Sequence, residues 1–267
     1  MEPVLLWSGG AWLEGPLWMP ELRRVRFSDI PNDRILEVDP VTGTMTVHRE
    51  NVEFTNGRTL DLEGSVVQCS HGRRAVEREV GGVPETIVDR WAGGRFNSPN
   101  DVVVASDGAI WFTDPPYGIQ DSGVEGHPGE QEYGGCFVFR FMDGVAEPVI
   151  TDMVHPNGLT FSRDESKLYV ADSARVWNPD WPHHIRVYDV ATGRGEVFAD
   201  IDPGVPDGLR VDDEGNVWTS AGKQVRVYSP SGELIRSVEF PETVANLCWG
   251  DGVWYVTATT SLYALAP

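Results

Sequence analysis

Cysteine is scarce. Cys69, Cys136 and Cys248 are the only three among 267 residues and none lies close to another, so neither a disulfide framework nor a thiolate zinc site is expected. They read as small buried hydrophobes in a reducing compartment. No apolar run approaches the roughly 18 residues that a bilayer span needs. No export signal is expected: Met1 to Trp12 carries no basic stretch and reaches Glu14-Gly15 before an apolar run can develop. A cytoplasmic location is expected. Positive charge is short too, with 21 Lys and Arg against 41 Asp and Glu, a net charge of −20. Such a field repels phosphate backbones and anionic lipid, so neither nucleic acid nor membrane partners are expected. It would gather cations, although acidity alone serves solubility as often. Helical periodicity is absent, and without crossover helices a parallel α/β architecture has no connections.

What the chain has is repetition. A turn rich in acidic residues or glycine leads into alternating β-branched and aromatic residues and then a small polar stop, at residues 22–29, 63–70, 107–114, 165–172, 214–221 and 251–258. Turn chemistry followed by that alternation predicts a strand each time. Second short strands are predicted at 34–38, 74–80, 135–141, 184–190, 224–228 and 261–265. The centres Phe27, Val67, Trp111, Tyr169, Trp218 and Tyr255 recur at the roughly 40- to 60-residue spacing of four-stranded propeller blades. The expectation is an all-β, six-bladed β-propeller of four-stranded blades, one domain over 1–267. Residues 3–7 should supply the outer strand of the last blade, tying both chain ends down and removing a sheet edge.

Before each aromatic strand, by roughly 9 to 13 residues, stands a polar residue at the start of the preceding strand of the same unit: Glu14, Asn56, Asn100, Asn157, Asp207 and Asn246. Equivalent positions of a closed ring face one axis, so these oxygens should converge at one mouth of the central channel. Asn-Gly and Asp-Gly pairs also make ordinary turns. Glu14, a poor turn former in the same register, and the steps Pro99-Asn100, Pro156-Asn157 and Pro206-Asp207 point instead to a metal site. Two carboxylates with amide oxygens, and no cysteine or histidine in register, make a hard donor set. Ca2+ suits it best, with Mg2+, Mn2+ or Zn2+ as alternatives. Side chains so few leave positions open for water and substrate, as a catalytic ion requires.

Five segments in this order carry a resemblance: Glu14-Gly15-Pro16-Leu17-Trp18, Ser98-Pro99-Asn100-Asp101-Val102, Phe112-Thr113-Asp114-Pro115-Pro116-Tyr117-Gly118, Pro156-Asn157-Gly158-Leu159 and Pro206-Asp207-Gly208-Leu209. Together they resemble the gluconolactonase, regucalcin and luciferin-regenerating-enzyme family, along nearly the whole chain. The resemblance implies a six-bladed propeller with a divalent metal in its channel and hydrolysis of a small sugar lactone. It places Glu14, Asn157 and Asp207 on the direct metal ligands and Asn100 on a fourth position, reached directly or through water and substrate. Diisopropyl fluorophosphatase has a similar Glu, Asn, Asn, Asp set, which keeps phosphotriester or aryl-ester hydrolysis as an alternative. A non-catalytic calcium-binding propeller is a third.

Asp207 is the expected general base as well as a ligand. Candidate substrate contacts are Asn56, Asn100, His71 and Arg95. His71 reads either as a hydrogen-bonding or basic group or as a surface histidine at a blade rim. Arg95, with Asn97, reads either as a forked donor to sugar hydroxyls or as a solvated turn arginine. Asp114 is expected in a rigid turn set by Pro115 and Pro116 rather than at a second cation. Two loops should overhang the mouth: residues 119–135, with His127, and 174–183, with Trp177 and Trp181, whose rings pack the loop or stack on a sugar.

Overall fold

A computed structural model describes residues 2–266, so Met1 and Pro267, the ends of the expected 1–267 unit, lie outside the described residues. Six four-stranded antiparallel sheets stand in a ring, each new sheet beginning against the axis beside the first strand of the sheet before it. The first blade runs Leu13–Met19, Arg24–Asp29, Arg34–Val38, Met45–Glu50 from the axis outwards. The second starts at Thr55–Leu60, the third at Val102–Val104, the fourth at Pro156–Phe161 and the fifth at Leu209–Val211. The sixth, Val244–Gly250, Val253–Ala258, Ser261–Leu265, takes Val4–Ser8 as its outer strand, with Leu5 opposite Tyr263 and Ser8 opposite Ser261. Blade count, strand number and terminal closure therefore agree with the repeat pattern. No helix of the described residues is long and apolar enough to cross a membrane.

The alternation of each repeat explains why the blades stick. One set of side chains meets the next blade, as where Trp111, Val138 and Ile150 of the third blade close on Leu159, Leu168 and Tyr188 of the fourth. Five seams are filled in this way, including the one that joins the last blade to the first through Tyr255, Cys248, Phe27 and Leu36. The seam between the first and second blades is ionic instead. Arg26 bonds Glu37 at 3.0 Å and Glu79 at 3.2 Å, and Arg49 bonds Glu79 at 2.7 Å. Beneath them the fully buried Arg58 donates to the Gly15 carbonyl at 3.2 Å and to Ser28 Oγ at 2.5 Å, and burial lowers its pKa to about 9.

Candidate active site in the central channel

The six polar residues do meet on the axis, and the local backbone shows how. Glu14, Asn56 and Asn157 each occupy the second position of an innermost strand, and there the pairing with the second strand slips: between Glu14 and Leu17, between Thr55 and Arg58, and between Pro156 and Leu159. A bulge re-aims a side chain that would otherwise lie across the blade face. Asn100 and Asp207 come just before their strands start. The glycine that follows four of these residues has a separate reason. A Cβ on Gly57 would lie 2.6 Å from the Asn100 carbonyl oxygen, and one on Gly158 2.2 Å from that of Asp207. The ring is so tight that each polar residue's backbone abuts the next blade's, and Gly57 and Gly158 serve this approach rather than a turn.

A relay of amides then orients the oxygens. Asn56 Nδ2 donates to Asn100 Oδ1 at 2.8 Å, Asn100 Nδ2 to Asn157 Oδ1 at 2.7 Å, and Asn157 Nδ2 to Ser173 Oγ at 3.0 Å. Opposite them, Asn246 Nδ2 and the Gly15 amide both donate to Glu14 Oε2, at 3.1 and 2.7 Å. Amide oxygens have two lone pairs, so those of Asn100 and Asn157 retain one each. Burial raises the Glu14 carboxyl to about 8, with Asp101 and Glu125 adding repulsion. Asp207 is pushed well above the carboxylate range, by burial first and then by the charge of Glu14. Two buried carboxyls that repel each other beside amide oxygens are what a hard cation would neutralise, so these residues fit a divalent ion. Among the described residues no three His, Cys, Asp or Glu side chains cluster as metal ligands; the set depends on its amides.

Above the ring opens a cavity of about 470 Å³ whose wall includes Glu14, Asn56, Asn100, Asn157 and Asp207. The rest of the wall is largely apolar, with Trp12, Ile30, Val176, Trp177, Val205 and Val244. Both predicted loops reach it, through Gln120, Ser122, Val124 and Glu125 of one and Val176 and Trp177 of the other.

Other candidates fall differently. His71 is fully buried rather than at a surface rim. Its strand ends beside the start of the innermost one, with Ser70 opposite Thr55, and carries the ring inwards. Its Nε2 lies 3.3 Å from Asn56 Nδ2 and 3.1 Å from Asn100 Oδ1, its Nδ1 2.9 Å from the Glu125 carbonyl, and burial lowers its pKa to about 4. Arg95 is not brought to the cavity. It sits in a two-residue hairpin with an exposed side chain bonded to the Arg73 carbonyl at 3.0 Å. Asn97 is buried and donates to the Asp114 and Gly135 carbonyls. Asp114 accepts from the Asn97 and Ser98 amides at 2.8 and 2.9 Å and from Tyr133, which fixes the turn leading into Asn100. His127 is exposed and pairs with Glu53 at 2.8 Å.

Several wall residues were not anticipated. Ser173 follows its second strand just as His71 does, a position whose regularity marks it, while Tyr117 lies three residues beyond the strand Ile110–Asp114. Glu125, whose carboxyl burial raises to about 7, lies in a loop without repeat equivalents and gave no such signal.

A profile of the SMP-30/gluconolactonase/LRE-like region matches residues 12–260. The gluconolactonase of Zymomonas mobilis is 31% identical over 264 residues, covering 90% of this chain and 73% of that protein. A pentonolactonase of Haloferax volcanii is 27% identical, covering 92% and 81%. Among solved structures, a gluconolactonase of Xanthomonas campestris superposes with a TM-score of 0.91 at 36% identity, over 98% of this chain and 88% of that one.

Proposed function

The chain belongs to the SMP-30/gluconolactonase/LRE-like family, and we propose that it is a metal-dependent hydrolase that opens a small aldonolactone. The observation that carries this reading is the pair of buried, mutually repelling carboxyls, Glu14 and Asp207, set beside amide oxygens in the floor of a cavity. Relatives named as gluconolactonase and pentonolactonase support the reaction class.

Glu14, Asn157 and Asp207 would hold the ion, with Asn100 as a fourth contact, and the hardness of the donors favours Ca2+ over Mg2+, Mn2+ or Zn2+. When bound, it supplies Lewis-acid stabilisation of the negative charge that develops on the lactone carbonyl oxygen. The chain's own residues do the rest. Asp207 takes a proton from the attacking water, whose oxygen bonds the carbonyl carbon as the ring C–O bond breaks. The proton returns to the ring oxygen, leaving a hydroxy acid. His71, neutral because it is buried, donates its single N–H from Nδ1 to the Glu125 carbonyl and accepts from Asn56 Nδ2 at Nε2, which ties the loop down to Asn56 and, through it, to Asn100. Asn56, Asn100 and His71 are the proposed substrate-side polar groups. The free, buried cysteines suit a cytoplasmic enzyme.

A pH-indicator assay over a lactone panel tests the proposal, with chelation and metal add-back, run beside paraoxon and an aryl acetate. Fastest acid release from an aldonolactone, lost on chelation and regained with Ca2+, is the expected result. Faster turnover of the phosphotriester or aryl ester would move the function to the alternative class. No turnover at all with stoichiometric calcium binding would leave a binding protein.

A further inference from the structure

Beside the axial cavity lies a second chamber of about 490 Å³, and the two share Gln120 and Trp177 as a common wall. Its other walls include Met153, Val154 and Trp181. Three observations set it apart from a packing defect. Trp177 and Trp181 keep 42% and 39% of their surface exposed, although a loop held down only by its aromatics would bury them. His155 also lines the chamber; it is 5% exposed, and its Nδ1 has no hydrogen-bond partner. The Trp177 and Trp181 rings stand edge-on to His155, with centroids 4.3 and 5.6 Å away. A buried polar atom without a partner costs free energy; Nδ1 is shielded from the chamber in this structure, so a ligand gains that atom only by moving the Trp rings packed beside it.

The chemistry of the walls selects the ligand. No Lys, Arg, Asp or Glu lines the chamber, so it offers nothing to a phosphate, a carboxylate or an amine. Burial lowers the His155 pKa and favours the neutral ring, which both donates and accepts. Gln120 and Gln131 add amides. Aromatic faces, amides and a neutral imidazole together match an uncharged polyhydroxylated ring, with apolar faces and hydroxyl edges.

We propose that this chamber is a subsite for a neutral sugar ring, so that the preferred substrate is a lactone bearing a second glycosyl unit: the lactone ring over Glu14 and Asp207, the distal ring past Trp177 against Trp181 and His155. The assignment rests on the lactonase reading above for the first ring only.

The test measures kcat/KM of the full-length protein for glucono-1,5-lactone and for cellobiono- and maltobionolactone, and by calorimetry the affinity for cellobionate against gluconate. A preference of tenfold or more for a disaccharide lactone is expected, falling about tenfold in Trp181→Ala and less in Trp181→Phe, which keeps a flat ring should the alanine variant fold poorly. Cellobionate should bind at least tenfold more tightly than gluconate. Equal or poorer turnover and binding of the disaccharide compounds would overturn the subsite, as would a preference that Trp181→Ala leaves intact. If no lactone is hydrolysed, the lactonase reading fails, and the calorimetric preference alone decides the chamber: tighter cellobionate binding upholds it, equal binding overturns it.

Discussion

The ring of strand starts and the loops above it are held by different means. Around the axis residues are fixed by several means at once: by bulges at Glu14, Asn56 and Asn157, by the amide relay through Asn56, Asn100 and Asn157, and by backbones so close that a Cβ on Gly57 or Gly158 would collide with the neighbouring blade. The 119–135 loop is tied down by bonds that no other blade repeats, among them His71 to the Glu125 carbonyl, His127 to Glu53, and Arg74 to the Glu130 carbonyl. Tight, repeated geometry suits a site that must hold charges against their repulsion; unique geometry suits selection among substrates. Substitutions in the ring should therefore cost orders of magnitude, and substitutions in the loops should cost little or change preference.

The largest effect is expected from Asp207→Asn, which should lower kcat by about 10²- to 10⁴-fold. His127→Ala, on the exposed face of the loop, should stay within about twofold, since surface changes away from buried networks are small. Loss of similar size in both would erase the distinction. If Asp207→Asn kept its metal and turned over at a near-normal rate, Asp207 would be a ligand and not the base.

A smaller effect separates two glycines. Gly57→Ala places a methyl 2.4 Å from the Asp101 carboxylate and should cost about 1 to 3 kcal/mol, or about 2 to 4 °C of Tm per kcal/mol. A methyl at Gly134 would meet nothing within 4 Å, and the backbone there is not left-handed, so Gly134→Ala should leave Tm unchanged. Thermal melts of the two variants decide it.

The smallest is a shift with pH. In chelated protein Glu14, with a folded pKa of about 8 against an ordinary 4.5, holds a proton that the unfolded chain has released. Asp207 and Glu125 are raised in the same sense. Stability from these groups is fullest below about pH 4.5 and is lost as the pH rises towards 8. Buried His71 acts oppositely, but only between about 4 and its ordinary 6.5. Tm of the chelated protein should thus fall by a few degrees between pH 6.5 and 8, and Ca2+ should abolish the fall. A flat profile in chelator would mean that burial and mutual repulsion do not raise the ring carboxyls.

This difference in how residues are held also explains what was legible in the sequence. Phe27, Trp111, Trp218 and their equivalents announced the blades because a propeller repeats one solution to one packing problem. Glu14, Asn56, Asn100, Asn157, Asp207 and Asn246 were legible as a set because equivalent positions of a ring share an axis. His71 and Ser173 were legible in principle. The end of a second strand lies beside the start of the first, as Asp172 lies opposite Pro156, so the residue beyond it enters the channel mouth. Arg95 misled because its neighbours Asn97 and Asn100 turn inwards while its own hairpin turns out. Glu125 and the Trp177 wall belong to unique loops, whose course depends on contacts such as His71 to Glu125 that no local pattern encodes.

Calorimetric titration of chelator-stripped protein with Ca2+ tests the shared-cation claim most directly. One ion per chain is predicted, with protons released on binding near pH 7, and with affinity reduced at least a hundredfold in both Glu14→Gln and Asp207→Asn. Absence of binding, or one-site binding that either variant leaves unchanged, would contradict it.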